Sequence, residues 1–185
     1  MRTNSTLKKA VKFVNNCKFI FSFKKNIFQK NIFSILLSLF ATITFSQTQN
    51  VDSYLANLQA SGPEADFVHF KHLLYNLQSA SYYFSSEASV KTYGDNPTAL
   101  FVDINSLASI ATQSIPDTDI EIVTIKIESN SDLIKKIDLA AFSGFSKLKY
   151  IYITSDVSTS EAALNNMIKN DTSKYVLVYT ISIGG

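Results

Sequence analysis

Asp66, His69 and His72, in the stretch EADFVHFKHLLY, are the residues whose types and spacing come nearest to a reactive cluster. Steps of three keep side chains loosely on one side of a helix. Imidazole and carboxylate are zinc ligands, but a structural zinc site takes four ligands and a catalytic one usually three plus water. The chain has two histidines in all, its single cysteine is Cys17, and only a carboxylate such as Glu64 stands nearby to complete a set. Surface or packing histidines are therefore expected, and His69, His72 and Asp66 remain the only metal candidates. A serine nucleophile would need one of these histidines as its base, and no GxSxG elbow singles out a serine. The five glycines are scattered or terminal, so no phosphate loop is expected. Asp117, Asp119 and Glu121 lack the DxDxDG spacing of a calcium loop and read as a solvated turn. No catalytic residue and no cofactor is expected.

Tyrosine and lysine offer a different chemistry, that of contact. Tyr150, Tyr152 and Lys126 sit in strongly β-forming stretches, and exposed tyrosine is enriched at interfaces. Their use depends on the elements that carry them. EIVTIKIE (121–128), KYIYIT (149–154) and YVLVYTISI (175–183) alternate in period two and read as strands. Asp132–Phe142 and Ser160–Asn170 between them read as helices or turns, with Ser160 and Glu161 suited to a helix start. Crossovers of that kind favour parallel pairing. Upstream, 51–60 and 63–80 read as helices separated at Gly62–Pro63, with Phe67, Phe70, Leu74 and Leu77 as one stripe. This pair is expected to cap an open end. Tyr82–Phe84 suggests a short strand and Tyr93–Asn96 a turn. Asn96–Pro97 is read as opening a further helix, with Leu100, Ile104, Leu107, Ala108 and Ala111 on one face; the competing reading makes Ala99–Ile104 a strand.

The two ends of the chain differ in charge. All eight basic residues before position 47 lie without an acidic neighbour, whereas nine lysines face fifteen carboxylates from Gln47 onward, a net −6. The basic stretch leads into IFSILLSLFATITF (32–45), fourteen residues, or about 21 Å of helix at ~1.5 Å per residue. That is short of the ~30 Å hydrocarbon core and suits a signal peptide. Cleavage is expected near Ser46–Gln47; an uncleaved anchor is the rival reading. A mitochondrial transit peptide would be arginine-rich, and this segment holds one arginine. Cys17 lies upstream of the cut, so the chain beyond it has no disulfide chemistry. That portion, Gln47 to Gly185, is long enough to bury about two-thirds of its unfolded surface as one domain. Net negative charge without arginine argues against nucleic acid.

Aligned, two strands share a frame. Ile122, Ile125, Ile127 and Asn130 have the form LxxLxLxxN; Leu148, Ile151, Ile153 and Asp156 repeat it at the next strand. Val176, Tyr179, Ile181 and Gly184 make a degenerate third copy after a slightly longer step. Phe142 and Phe145 approach Leu148 at steps of three. The pattern resembles a leucine-rich repeat, whose units run about 20–29 residues. The resemblance covers roughly residues 115–185. It implies inward Ile151 and Ile153, and Asn130 and Asp156 bonded to backbone where the chain leaves the sheet. It also implies an exposed strand face that binds proteins or other macromolecules. An ordinary β–α–β arrangement produces similar patterns.

The fold expected is α/β: a short leucine-rich-repeat-like parallel sheet with helical crossovers and an N-terminal helical cap, or a compact two-layer α/β domain. The expected divisions are 1–46 (signal, with basic 1–31 and apolar 32–45), 47–96 (N-terminal helical segment) and 97–185 (repeat-like). Alternation points Thr124, Lys126 and Glu128 outward, then Tyr150, Tyr152 and Thr154, then Val178, Thr180 and Ser182. The frame sets Lys126 beside Tyr152. Lys126, Tyr150, Tyr152, Thr154 and Thr180 are the binding candidates, unless a helix layer covers this face and makes the tyrosines core. The function expected is an exported, non-catalytic binding module in the periplasm, at the cell surface or outside the cell. Its partner would be a protein or surface macromolecule, with membrane contact only through the N-terminal segment. The alternatives are a small periplasmic α/β enzyme or small-ligand-binding domain, and a structural envelope component.

Overall fold

The computed structural model describes residues 47–87, 89–171 and 174–182. The expected signal segment, Cys17 and Gly184 of the third frame copy lie outside them. Strand β1 (Gln49–Asn50) opens the fold. The Asn50 side chain accepts from the amides of Asp52 and Ser53, at 3.0 and 3.3 Å, and so starts helix α1 (Val51–Ser61). Gly62 ends it: a Cβ there would lie 2.9 Å from Leu58. Pro63 precedes helix α2 (Glu64–Tyr75), whose first turn carries Glu64 and Asp66. This helix ends sooner than the expected residue 80. Leu77 is fully exposed, and Leu73 joins Phe70 as the buried face.

Strands β2 (Ala80–Tyr83) and β3 (Lys91–Tyr93) follow. Gly94, at φ +79°, turns the chain close against Ser79. The next segment corrects the helix reading: Ala99–Asp103 is strand β4, and only Leu107–Thr112 is helical, as a 3₁₀ segment. The spacing of Leu100, Ile104, Leu107, Ala108 and Ala111 fits a helix, but a short apolar run such as 99–103 is a buried strand equally well, and periodicity alone does not separate the two. Strand β5 (Ile122–Ile127), β6 (Ile137–Asp138) with a 3₁₀ turn at Leu139–Phe142, and β7 (Tyr150–Ser155) come next. Helix α3 (Glu161–Met167), β8 (Ile168–Lys169) and β9 (Val176–Ile181) complete the described chain.

The architecture is α/β. One seven-stranded sheet has the order β1-β9-β7-β5-β4-β2-β3, parallel throughout except for edge strand β3. β6 and β8 form a small parallel pair. From β2 to β9 each main-sheet strand of the parallel run lies beside its predecessor. The back face holds the larger core: Val123, Ile125, Ile151, Ile153 and Leu177 pack against Ile137, Phe142, Phe145, Leu148 and Leu164 of the crossovers. Ile151 and Ile153 are fully buried, as the alternation predicts. On the front, Val51, Phe70 and Leu73 of α1 and α2 pack on Ala80, Ala99, Ile122, Tyr150 and Val178.

Three expectations change. The helix pair lies across the front face and does not close an end; the edge of β9 is covered by β1, and the Thr48 amide and hydroxyl both donate to the Asn165 side chain at 2.9 and 2.8 Å. Residues 47–96 also supply three strands to the main sheet. Finally, Ile125 pairs with Ile153, and Ile153 with Tyr179. The first step along the chain is therefore longer than the second, where the frame has it shorter. A slip of two leaves every side chain on its expected face but shifts its neighbours.

The turns off the sheet use other residues than Asn130 and Asp156, neither of which is buried. Buried Asp132 accepts from the amides of Glu128 and Ser129 at 3.1 and 3.0 Å and from the Lys135 ammonium at 2.7 Å. Buried Asp103 accepts from the Ser85 amide and hydroxyl at 2.8 and 2.6 Å and from the Ser106 amide at 2.7 Å. A carboxylate accepts more bonds than one amide oxygen, which fits turns crowded with N–H and O–H donors.

Candidate functional site

Register sorts the outward residues into three rows across the sheet. Ala80, Ala99, Ile122, Tyr150 and Val176 form the first; Tyr82, Phe101, Thr124, Tyr152 and Val178 the second; Asp103, Lys126, Thr154 and Thr180 the third. The helix layer seals most of the first row. Tyr150 is wholly buried, its ring 4.5 Å from that of Phe70 and 6.5 Å from that of Tyr54. It is a packing residue, which corrects its place among the surface contacts: alternation sets its face rightly, but α1 and α2 cover that end of the strands.

Most of the second and third rows stay half-exposed, including Tyr82, Phe101, Thr124, Tyr152, Lys126, Thr154 and Thr180. A groove of about 290 Å³ opens there, with Leu73 and Leu74 at one end, Phe101 and Tyr152 at its sides, and Lys126 and Thr154 at the other end. Thr124, not Lys126, stands beside Tyr152; Lys126 stands beside Thr154. The Lys126 ammonium lies 2.9 Å from Glu128 and 3.2 Å from Asp156, and these hydrogen bonds, Glu128 first, hold its pKa above the ordinary lysine value. Alternation identifies four of the five binding candidates as part of this open region. It gives no sign of Phe101, which the helical reading covers, and Phe84, expected at the end of a short strand Tyr82–Phe84, lies just beyond β2 but lines the groove.

The row is aromatic at one end. Tyr82 and Phe101 stack with centroids 4.8 Å apart and planes 9° from parallel, and exposed Tyr93 meets Tyr82 edge-on at 5.6 Å. Tyr75, the last residue of α2, is largely exposed, and partial desolvation with nearby Asp52 and Tyr152 raises its phenol pKa.

The metal candidates do not converge. His69 is drawn to Glu121 at 2.7 Å, and Asp66 to Lys149 at 3.2 Å. A shallow opening of about 550 Å³ between α2 and the starts of β4 and β5 holds His69, His72 and Glu121. Among the described residues no group of three or more histidine, cysteine or acidic side chains is placed to hold a metal ion. Asp119 bonds Lys147, which holds its carboxyl below the usual range, so the expected solvated turn is tied at Asp119 by an ion pair. Among the described residues no helix is long and apolar enough to cross a membrane. Comparison with family models, with curated proteins and with solved structures found no match.

Proposed function

We propose that this chain is a binding module that presents the uncovered part of its front sheet face to a macromolecule outside the cytoplasm. The observation that carries the reading is the edge of the helix layer. α1 and α2 bury the first row from Ala80 to Tyr150, and Val178 of the second, but leave Phe101, Tyr152, Lys126 and Thr154 half-exposed around one groove. Apolar rings with a polar rim are the composition of a recognition surface. Export rests on the basic, then apolar, N-terminal sequence. The repeat-like reading is supported by the sequential order of β4, β5, β7 and β9, where Ala99, Ile122, Tyr150 and Val176 share one register. The steps between them along the chain lie within the range of about 20–29 residues that leucine-rich repeats span, and the exposed strand face of such repeats is their usual contact surface.

The test compares the full chain with Phe101→Ala/Tyr152→Ala for capture of material from the envelope fraction, folding being checked by circular dichroism. At least a tenfold loss of capture in a folded variant is expected. Equal capture by both proteins refutes the assignment to this face.

A further inference from the structure

From Tyr82 to Tyr152 the second row is a ladder of rings with one rung replaced, by Thr124. Tyr82 on β2 and Phe101 on β4 stack at 4.8 Å, the spacing of neighbouring strands. At the same level β5 carries Thr124 and β7 carries Tyr152. The groove of about 290 Å³ opens over that threonine, a volume suited to a single ring and not to a large ligand.

Thickness and chemistry narrow the ring. Phe101 and Tyr152 rise from strands two spacings apart, about 9.6 Å. A flat aromatic ring in contact with both would take about 3.5–4.0 Å on each side and leave about 2 Å unfilled. A saturated ring is thicker, because axial hydrogens project from both faces. The polar end adds a second constraint. Lys126 is already held between Glu128 and Asp156, so the three side chains together carry a net −1. An anion is disfavoured there. Two carboxylates, an ammonium and the Thr154 hydroxyl instead offer acceptors and donors side by side, which matches neutral hydroxyls that both donate and accept.

We infer that the groove over Thr124 binds one pyranose ring of a neutral carbohydrate chain. Its C–H faces lie toward Phe101 and Tyr152, and its hydroxyl edge toward Thr154 and the Lys126 ammonium, which Glu128 and Asp156 flank. The inference rests on the proposed binding role of the strand face and names the ligand of that face. Half-exposed Tyr82 and exposed Tyr93 continue the surface along the sheet, where further sugar units of the same chain would pass.

Titration calorimetry of the purified full chain tests it, with cellohexaose, maltohexaose, mannohexaose and N-acetylchitohexaose as probes and N-acetyl-tyrosine amide as the aromatic counterpart. A Kd of about 1 mM or tighter is expected for at least one oligosaccharide. Thr124→Phe supplies the replaced ring, fills the groove and should weaken that binding at least tenfold with the thermal midpoint retained; Thr124→Leu serves if the larger ring disturbs folding. Heat from no oligosaccharide, or oligosaccharide binding unchanged by both variants, overturns the inference. Preference for the tyrosine amide, lost in Thr124→Phe, also overturns it but leaves the strand-face reading standing, with an aromatic side chain as occupant. The strand-face reading itself falls only if envelope capture also survives Phe101→Ala/Tyr152→Ala.

Discussion

Truncating Tyr150 and Tyr152 to alanine should give opposite results, although the two residues sit two places apart on one strand face. Tyr150 is fully buried between Phe70, Tyr54 and the sheet. Removing a buried aromatic ring costs about 3–5 kcal/mol through lost transfer energy and the cavity left behind. The 4.5 Å ring pair with Phe70 contributes about 0.5–1.5 kcal/mol of that. Against a total stability of about 5–15 kcal/mol, the loss is a large fraction. At about 3–5 °C per kcal/mol for a domain of this size, the thermal midpoint should fall by about 10–20 °C. Tyr152 is half-exposed, and its truncation should cost within about 1 kcal/mol. Urea denaturation of both variants, read as midpoint shifts at constant slope, makes the comparison. Tyr150→Phe, which keeps the ring, should retain most of the stability. The packing argument fails if Tyr150→Ala costs less than about 1 kcal/mol, or if Tyr152→Ala costs as much as Tyr150→Ala.

Two further outcomes follow from polar groups in the fold. Burial alone would raise the Asp132 carboxyl, but the Lys135 ammonium, the Ser129 hydroxyl and two backbone amides outweigh it and hold it below the usual range; Asp103 is likewise held down by Ser85 and Ser106 despite burial. Carboxyls depressed in the folded state stabilise it above their unfolded pKa of about 3.9, so the urea midpoint should fall as pH drops from about 5 to 3, and less so in Asp132→Asn; a flat profile in the wild type contradicts this. At the other edge, Asn165→Ala removes the acceptor of both the buried Thr48 amide and its hydroxyl, and should cost about 1–3 kcal/mol by thermal denaturation, whereas a change below about 0.5 kcal/mol would mean β1 does not seal the sheet.

Much of the sheet was legible because its signals are local. Ile122–Ile127, Tyr150–Ser155 and Val176–Ile181 alternate strongly, and their inward residues were identifiable from parity alone. Register was not legible to the same degree. The LxxLxLxxN frame aligns residues by type, yet the crossovers before β7 and β9 differ in length by two. The frame places Lys126 beside Tyr152, whereas Thr124 occupies that place. Strand β4 escaped because ALFVD is buried at Leu100 and Val102 on its back side and at Ala99 on its front, which removes the alternation a half-exposed strand would show. Asp132 and Asp103 escaped because their partners, the amides of Ser129 and Ser106 among them, become donors in need only once the chain leaves the sheet.

The limit of the helix layer was written in the sequence, in a form that alternation does not capture. Along each outward face polarity rises toward the C-terminal end of the strand: Ala99, Phe101, Asp103 on β4; Ile122, Thr124, Lys126 on β5; Tyr150, Tyr152, Thr154 on β7; Val176, Val178, Thr180 on β9. Successive outward residues lie about 6.6 Å apart along a strand, and a helix with its side chains is about 10 Å across. A single helix laid over the first row therefore reaches only into the second, and the third stays half-exposed at Lys126, Thr154 and Thr180. The first row is apolar apart from the Tyr150 hydroxyl, the second mixes rings and Val178 with threonine, and the third carries charge and hydroxyl. That gradient repeats on four strands at one register; on β4, β5 and β7 it marks the line where the helix layer ends, and on β9 the layer reaches one row further, to buried Val178. The groove over Thr124 lies on that line. It can hold a ring because Phe101 and Tyr152 are near enough to the layer to be apolar, yet far enough from it to stay open.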